Sequence, residues 1–162
     1  MKTDIVEAVV QAGAAETEYA RAGSGRPTVL LLRPSSSLAA ITADPLFISL
    51  SRGLRVVAPA LTTERELTAW VGDLVDGLGL DRPAVVVDAA VAGAAVPLVL
   101  GEDRCSCIVV LRTAGEPARR TAASDDGAPG SGRVLELQLD AAGGLRGADL
   151  ETLRAFLRCG GD

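Results

Sequence analysis

Residues 83–100, PAVVVDAAVAGAAVPLVL, constrain the fold more than any other stretch of this chain. Ala84 to Val87 form a short apolar run with no polar break, the pattern of a strand covered on both faces, as parallel strands are. Asp88 ends the run. Small residues follow from Ala89 onward, which suits a sharp turn from strand into helix, and Gly93 lets that helix pack closely on the sheet. A strand that passes straight into a helix is the unit of α/β architecture.

The rest of the chain repeats this alternation. Ile5 to Gln11 and Glu16 to Arg21 read as two strands joined by the small residues 12–15, and 22–27 (AGSGRP) is the next turn. Thr28 to Leu32 (TVLLL), Leu54 to Ala58 (LRVVA) and Cys107 to Leu111 are further apolar strands, and the segment from Leu38 to Ser51 includes a short helix. Thr62 or Thr63 caps an amphipathic helix that carries Leu67, Trp70, Val71, Leu74 and Leu78 at helical spacing and ends near Gly79. Val134 to Leu139 alternates like an edge strand, and Ala148 to Arg158 closes the chain as an amphipathic helix. Residues 113–132 hold almost no large apolar side chain and are expected to form a flexible loop. The expected fold is therefore a single three-layer α/β domain over 1–162, with a mostly parallel open sheet of about 6–8 strands and helices on both faces. Ligands of such sheets bind at the carboxyl ends of the strands, here Arg33 to Ser37, Pro59 to Leu61, Asp88 to Val91 and Arg112 to Gly115.

Composition narrows the function. Aromatic residues are 2% of a chain that is 48% apolar, so Ala, Val and Leu must build the core around Trp70, Phe47 and Phe156. The formal net charge of −5, with Lys2 the only lysine, argues against a nucleic-acid surface. No apolar run approaches the roughly 20 residues of a membrane span, and acids interrupt the apolar part of the amino terminus as no signal peptide allows. A cytoplasmic location is expected, in keeping with the odd count of three cysteines, Cys105, Cys107 and Cys159. With no histidine and three thiols, neither a metal site nor a cofactor is expected. Cys105 and Cys107 are expected to pack in the core.

The segments 17–32, 46–61, 67–87 and 134–157, in this order and spacing, resemble the α/β-hydrolase family over most of the chain. Residues 88–93 resemble its nucleophile elbow, G-x-S-x-G followed by another small residue. The departures from the family fall at its chemical positions. Ala90 stands at the nucleophile position and Gly144 at the histidine position in the last loop. Arg33 and Pro34 replace the His-Gly that shapes the oxyanion loop, and Ala60 replaces an acid after the fourth strand. Between the sixth strand and Val134 there is no room for a cap domain or a well-formed seventh strand, and Asp125 and Asp126 are the remaining candidates for a triad acid. Hydrolysis by this mechanism needs a nucleophile, a base and oxyanion donors together.

Two functional classes follow. In the first, the fold is kept as a non-hydrolytic binding or partner module, a pseudo-enzyme. Its small-molecule ligand or protein partner meets Arg33, Ser35, Ser36, Ala89, Ala90 and Val91, and self-association could close the uncapped strand ends. In the second, the old pocket serves cyclisation or dehydration in natural-product biosynthesis, with Asp88 as the base and Ser35, Ser36 and Ser37 orienting a carbonyl. Asp88 as the N-cap of the elbow helix, and the serines as an ordinary polar loop, are the competing structural readings. On a third view the hydrolase resemblance marks ancestry and not chemistry.

Overall fold

The computed structural model describes residues 4–35, 37–61, 67–93, 104–113 and 134–159. The chain opens with an antiparallel hairpin of β1 (Val6–Ala12) and β2 (Ala15–Ala22), in which Val6 pairs with Arg21 and Ala12 with Ala15. Four parallel strands follow: β3 (Thr28–Leu32), β4 (Arg55–Pro59), β5 (Ala84–Asp88) and β6 (Ile108–Arg112). The parallel strand β7 (Val134–Gln138) completes a seven-stranded sheet of order β1-β2-β4-β3-β5-β6-β7. Only the β1–β2 and β2–β4 pairings are antiparallel. The strands lie within a residue or two of where the apolar runs place them.

The sheet divides the core into two layers because successive strand residues point to opposite faces. Leu30 and Leu32 of β3, Val85 and Val87 of β5, and Ile108 and Val110 of β6 pack on one face with Trp70, Val71, Leu74 and Val75 of α3 (Leu67–Gly77). Val29, Leu31, Val86, Val109 and Leu111 pack on the other face. They meet Leu46, Phe47 and Leu50 of α2 (Pro45–Ser51) and Leu153 and Leu157 of α4 (Gly147–Cys159). The result is the three-layer arrangement that the alternation of strands and helices implies. With few aromatics, the one tryptophan is held by both packing and a hydrogen bond: Trp70 is buried, and its Nε1 donates to the buried Thr17 hydroxyl of β2 at 3.3 Å.

Between β3 and β4 the sequence suggests one short helix, and the structure has two. The first, α1 (Leu38–Thr42), is capped by the Ser37 hydroxyl, which accepts from Ala40 N. The second, α2, starts at an Asp-Pro pair: Asp44 caps it by accepting from Leu46 N at 2.9 Å, and Pro45 takes the first helical position, where no N–H is required. That pair breaks the segment in two.

At the far side of the sheet β6 bonds directly to β7, from Ile108 opposite Val134 to Arg112 opposite Gln138. No strand is interposed, and β7 is an edge strand, as its alternating pattern suggests. Cys105 and Cys107 are buried in the core. The loop expected over 113–132, the caps Thr62 and Thr63, and Asp125 and Asp126 lie, beyond Thr113 itself, outside the described residues. No helix among the described residues is long and apolar enough to cross a membrane.

Candidate functional site

The parallel register sets which residues meet at the carboxyl ends of the strands. Leu32 pairs with Val87, so the next residues of the two neighbouring strands, Arg33 and Asp88, emerge side by side. Arg33 Nε donates to Asp88 Oδ1 at 3.2 Å, and Arg33 Nη1 donates to Asp44 Oδ2 at 2.7 Å. The three side chains are 20%, 25% and 16% exposed, which places one guanidinium between two carboxylates in a half-dry setting. Asp44 uses its other oxygen to cap α2, so the cluster ties β3, β5 and the start of α2 together. Its formal charge is one negative.

Asp88 holds the N-cap position before the 3-10 turn Ala89–Val91, yet its side chain makes no capping hydrogen bond there. The Arg33 ion pair supplants the cap expected of it. A carboxylate held by a guanidinium is charge-assisted and directionally fixed, a poor starting point for accepting a substrate proton.

The oxyanion-loop segment is similarly committed. Pro34 has no N–H to offer. Ser35 forms an isolated bridge with Leu61, donating its N–H to Leu61 O at 3.1 Å and accepting from Leu61 N at 2.9 Å. The Ser35 hydroxyl donates to Ser37 O at 3.2 Å. In the family geometry one oxyanion donor comes from the loop after the third strand. Here the N–H groups of residues 34 and 35 are absent or spent.

A cavity of about 360 Å³ opens beside this cluster. Arg33, Ser35, Asp44 and Asp88 give it polar walls, Leu31, Ile41, Ala58 and Pro59 a largely apolar base, and Ala142 and Gly143 a third side. The last two belong to the turn between β7 and α4. Asp140 Oδ1 organises that turn by accepting from Ala142 N and Gly144 N, both at 2.9 Å, and Gly143 takes a left-handed φ of 78°. A Cβ on Gly143 would stand 3.8 Å from Arg33 Nη2, so the turn closes over the guanidinium.

The residues singled out from the sequence therefore divide. Arg33, Ser35 and Asp88 meet at one cavity, whereas Ala89, Ala90 and Val91 do not line it. Ala90 is exposed, and Val91, 4% exposed, packs into the core under α3. Gly144 lies in the turn beside the cavity, bonded to Asp140. Ser36 is outside the described residues. Asp44 was not among the residues singled out, although the Asp-Pro pair followed by an apolar helix is a readable N-cap signal. Its ion pair with Arg33 is a tertiary contact that no local pattern announces.

The fold of this chain is matched among solved structures. Similarity extends to an epoxide hydrolase from Vigna radiata, with a TM-score of 0.54 and 22% identity over 66% of this chain and 38% of that one. It extends also to 2-hydroxy-6-oxo-6-phenylhexa-2,4-dienoate hydrolase from Rhodococcus sp. strain RHA1, with a TM-score of 0.53 and 20% identity over 76% of this chain and 52% of that one. Naproxen esterase from Bacillus subtilis matches with a TM-score of 0.55 and 14% identity over 67% of this chain and 43% of that one. The fold is that of the α/β-hydrolases. This chain spans about half or less of the length of each of these enzymes. No family model and no curated protein matches the sequence.

Proposed function

We propose that this protein is a non-hydrolytic α/β-hydrolase-fold module that binds a small neutral or cationic molecule at the carboxyl ends of β3 and β5. The observation that carries the reading is the Asp44–Arg33–Asp88 cluster at the cavity wall, 2.7 and 3.2 Å across its two ion pairs. It stands where the family resemblance puts the oxyanion loop, and there it sets an ion-pair network with a negative balance in place of acyl-transfer machinery. Ala90 at the nucleophile position and the absence of histidine from the chain support the same conclusion. The negative balance of the cluster disfavours an anionic ligand. A cavity of about 360 Å³ is at the small end of ligand pockets, which run from roughly 300 to 1,000 Å³.

Two measurements test this. Purified protein should not turn over p-nitrophenyl acetate above background. Turnover that survives purification and disappears with one substitution in this chain overturns the reading. In a fragment screen followed by amide chemical shifts, neutral and monocationic compounds should move residues 33–44 and 88, and a response confined to anions would contradict it.

The alternative, a cyclase or dehydratase with Asp88 as base, draws on the fact that Asp88 and Ser35 both line the cavity. It requires Asp88 to leave Arg33 when substrate binds. The Asp88→Asn variant separates the two readings, since it removes turnover in the enzyme, whereas in the module there is no turnover to remove and only ligand affinity shifts.

A further inference from the structure

A second cavity lies at the opposite edge of the sheet, among the starts of the parallel strands. It holds about 700 Å³ and is lined by four arginines, Arg26, Arg55, Arg82 and Arg158, against one acid, Asp81. The concentration is unexpected in a chain of net charge −5. The four arginines come from four separate parts of the sequence: the turn before β3, the first residue of β4, the turn before β5 and the last turn of α4. Folding alone assembles them.

The guanidinium groups of Arg26, Arg55 and Arg158 have neither a hydrogen bond nor an ion pair with any described residue. This contrasts with Arg33, Arg104, Arg112 and Arg154, each of which faces a carboxylate. Like charges brought together in excess of the one acid, Asp81, repel one another, a cost that a bound anion removes. The walls that carry them are stiff. Gly23 takes a φ of 78°, and a Cβ on Gly23 or Gly25 would collide with the carbonyl oxygens of Leu54 or Gly53, so the 23–26 turn lies directly on the 53–55 turn. Arg55 N donates to Gly25 O at 3.0 Å, which fixes the backbone of Arg55 against that of its neighbour Arg26. On the facing wall Arg82 is the only described non-glycine residue with a positive φ, 41°, a backbone state that surrounding structure must hold in place. The Ser24 and Thr28 hydroxyls add neutral donors.

We propose that this groove is a binding site for a small polyanion, a molecule carrying two or more phosphoryl or carboxylate groups. Planar guanidinium forks match such groups in bidentate geometry, and several around one cavity select for more than one anionic centre. A volume of about 700 Å³ admits a ligand of metabolite size. Nucleic acid is the poorer occupant. No aromatic side chain among the described residues lines the groove to stack a base, and the rest of the chain carries net negative charge that repels a long polyanion. The site is on the far side of the sheet from the Arg33 cluster and does not depend on the function proposed above.

Titration calorimetry with inorganic pyrophosphate at low ionic strength tests the proposal, with inorganic phosphate as the comparison that carries a single phosphoryl group. Pyrophosphate should bind saturably and about tenfold or more tighter than phosphate, since a second anionic group gains its own charged hydrogen bonds. The double variant Arg26→Gln/Arg55→Gln should weaken pyrophosphate by roughly tenfold or more, whereas Arg21→Gln/Arg52→Gln, with the same charge change outside the groove, should shift it less than about threefold. Equal loss in the two variants, or no saturable binding, overturns the proposal. In the unaltered protein pyrophosphate should move the amides of residues 24–28 and 79–82, and shifts confined to residues 33–44 would place the anion at the wrong end. Binding of single-stranded DNA tighter than pyrophosphate would also overturn it.

Discussion

The two ends of the parallel sheet use arginine in opposite ways. At the carboxyl end Arg33 is one-fifth exposed and sits between Asp44 and Asp88, its charge more than balanced. At the amino end Arg26, Arg55 and Arg158 are exposed and line a cavity in which, with Arg82, they outnumber its one acid, Asp81. The same side chain is a structural tie in one place and an open valence in the other, and burial makes the difference. A guanidinium drawn toward the core must bring its carboxylates with it, whereas one in water need not. Counting arginines along the sequence therefore says little about charge available to a ligand.

Substitutions can break or sharpen this contrast. The largest effect is expected where the two ends share an element. Leu30, fully buried at the middle of β3, contacts the core under α3, and Leu30→Ala should cost about 2–5 kcal/mol in urea denaturation, loosening both ends together. Arg33→Met comes next. It takes from two part-buried carboxylates the guanidinium that they share and should cost about 2 kcal/mol, allowing for partial solvent screening. A loss no greater than that of an exposed arginine would erase the distinction between the two ends. Asp44→Ala removes a helix cap as well as one ion pair and should cost about 1–2 kcal/mol, and Asp44→Asn should recover part of this because an asparagine oxygen still caps α2. At the other end, Arg55→Gln should leave Tm within about 2 °C of the parent by differential scanning calorimetry, because its guanidinium ties nothing to the fold. A clear rise in Tm would sharpen the contrast further, since it would expose repulsion stored in the groove.

Much of the framework was readable from local pattern. Thr28–Leu32 and the strand at Ala84–Asp88 announce themselves because buried parallel strands are short unbroken apolar runs, and the alternation of Val134–Gln138 marks a strand with one face partly open. The elbow was legible as a shape, since small residues after Asp88 accept a tight 3-10 turn. What escaped was set by contacts distant in sequence. Asp88 looked like a helix cap because Asp commonly is one. Its partner, Arg33, is 55 residues away and arrives only through the β3–β5 register. Val91 looked like part of a ligand floor, but the turn rotates it into the core, and the cavity lies on the α1–α2 side instead. The split of 38–51 into two helices was available in the Asp-Pro pair. The arginine groove was not available at all, because its members are scattered from residue 26 to residue 158.

Strand β3 carries a residue of each cavity, Thr28 near its start in one and Leu31, followed by Arg33, in the other. Five residues of strand form a strut about 17 Å long, hydrogen-bonded to a parallel neighbour on either side. A strand paired on both sides is expected to hold a single packing, so the two proposed ligands should bind independently. Occupancy of one cavity then leaves affinity at the other unaltered, while each ligand adds its own increment to the resistance of the whole sheet to unfolding. The molecule would register two ligands as a sum and never as a switch, a behaviour that paired titrations and thermal shifts can read directly.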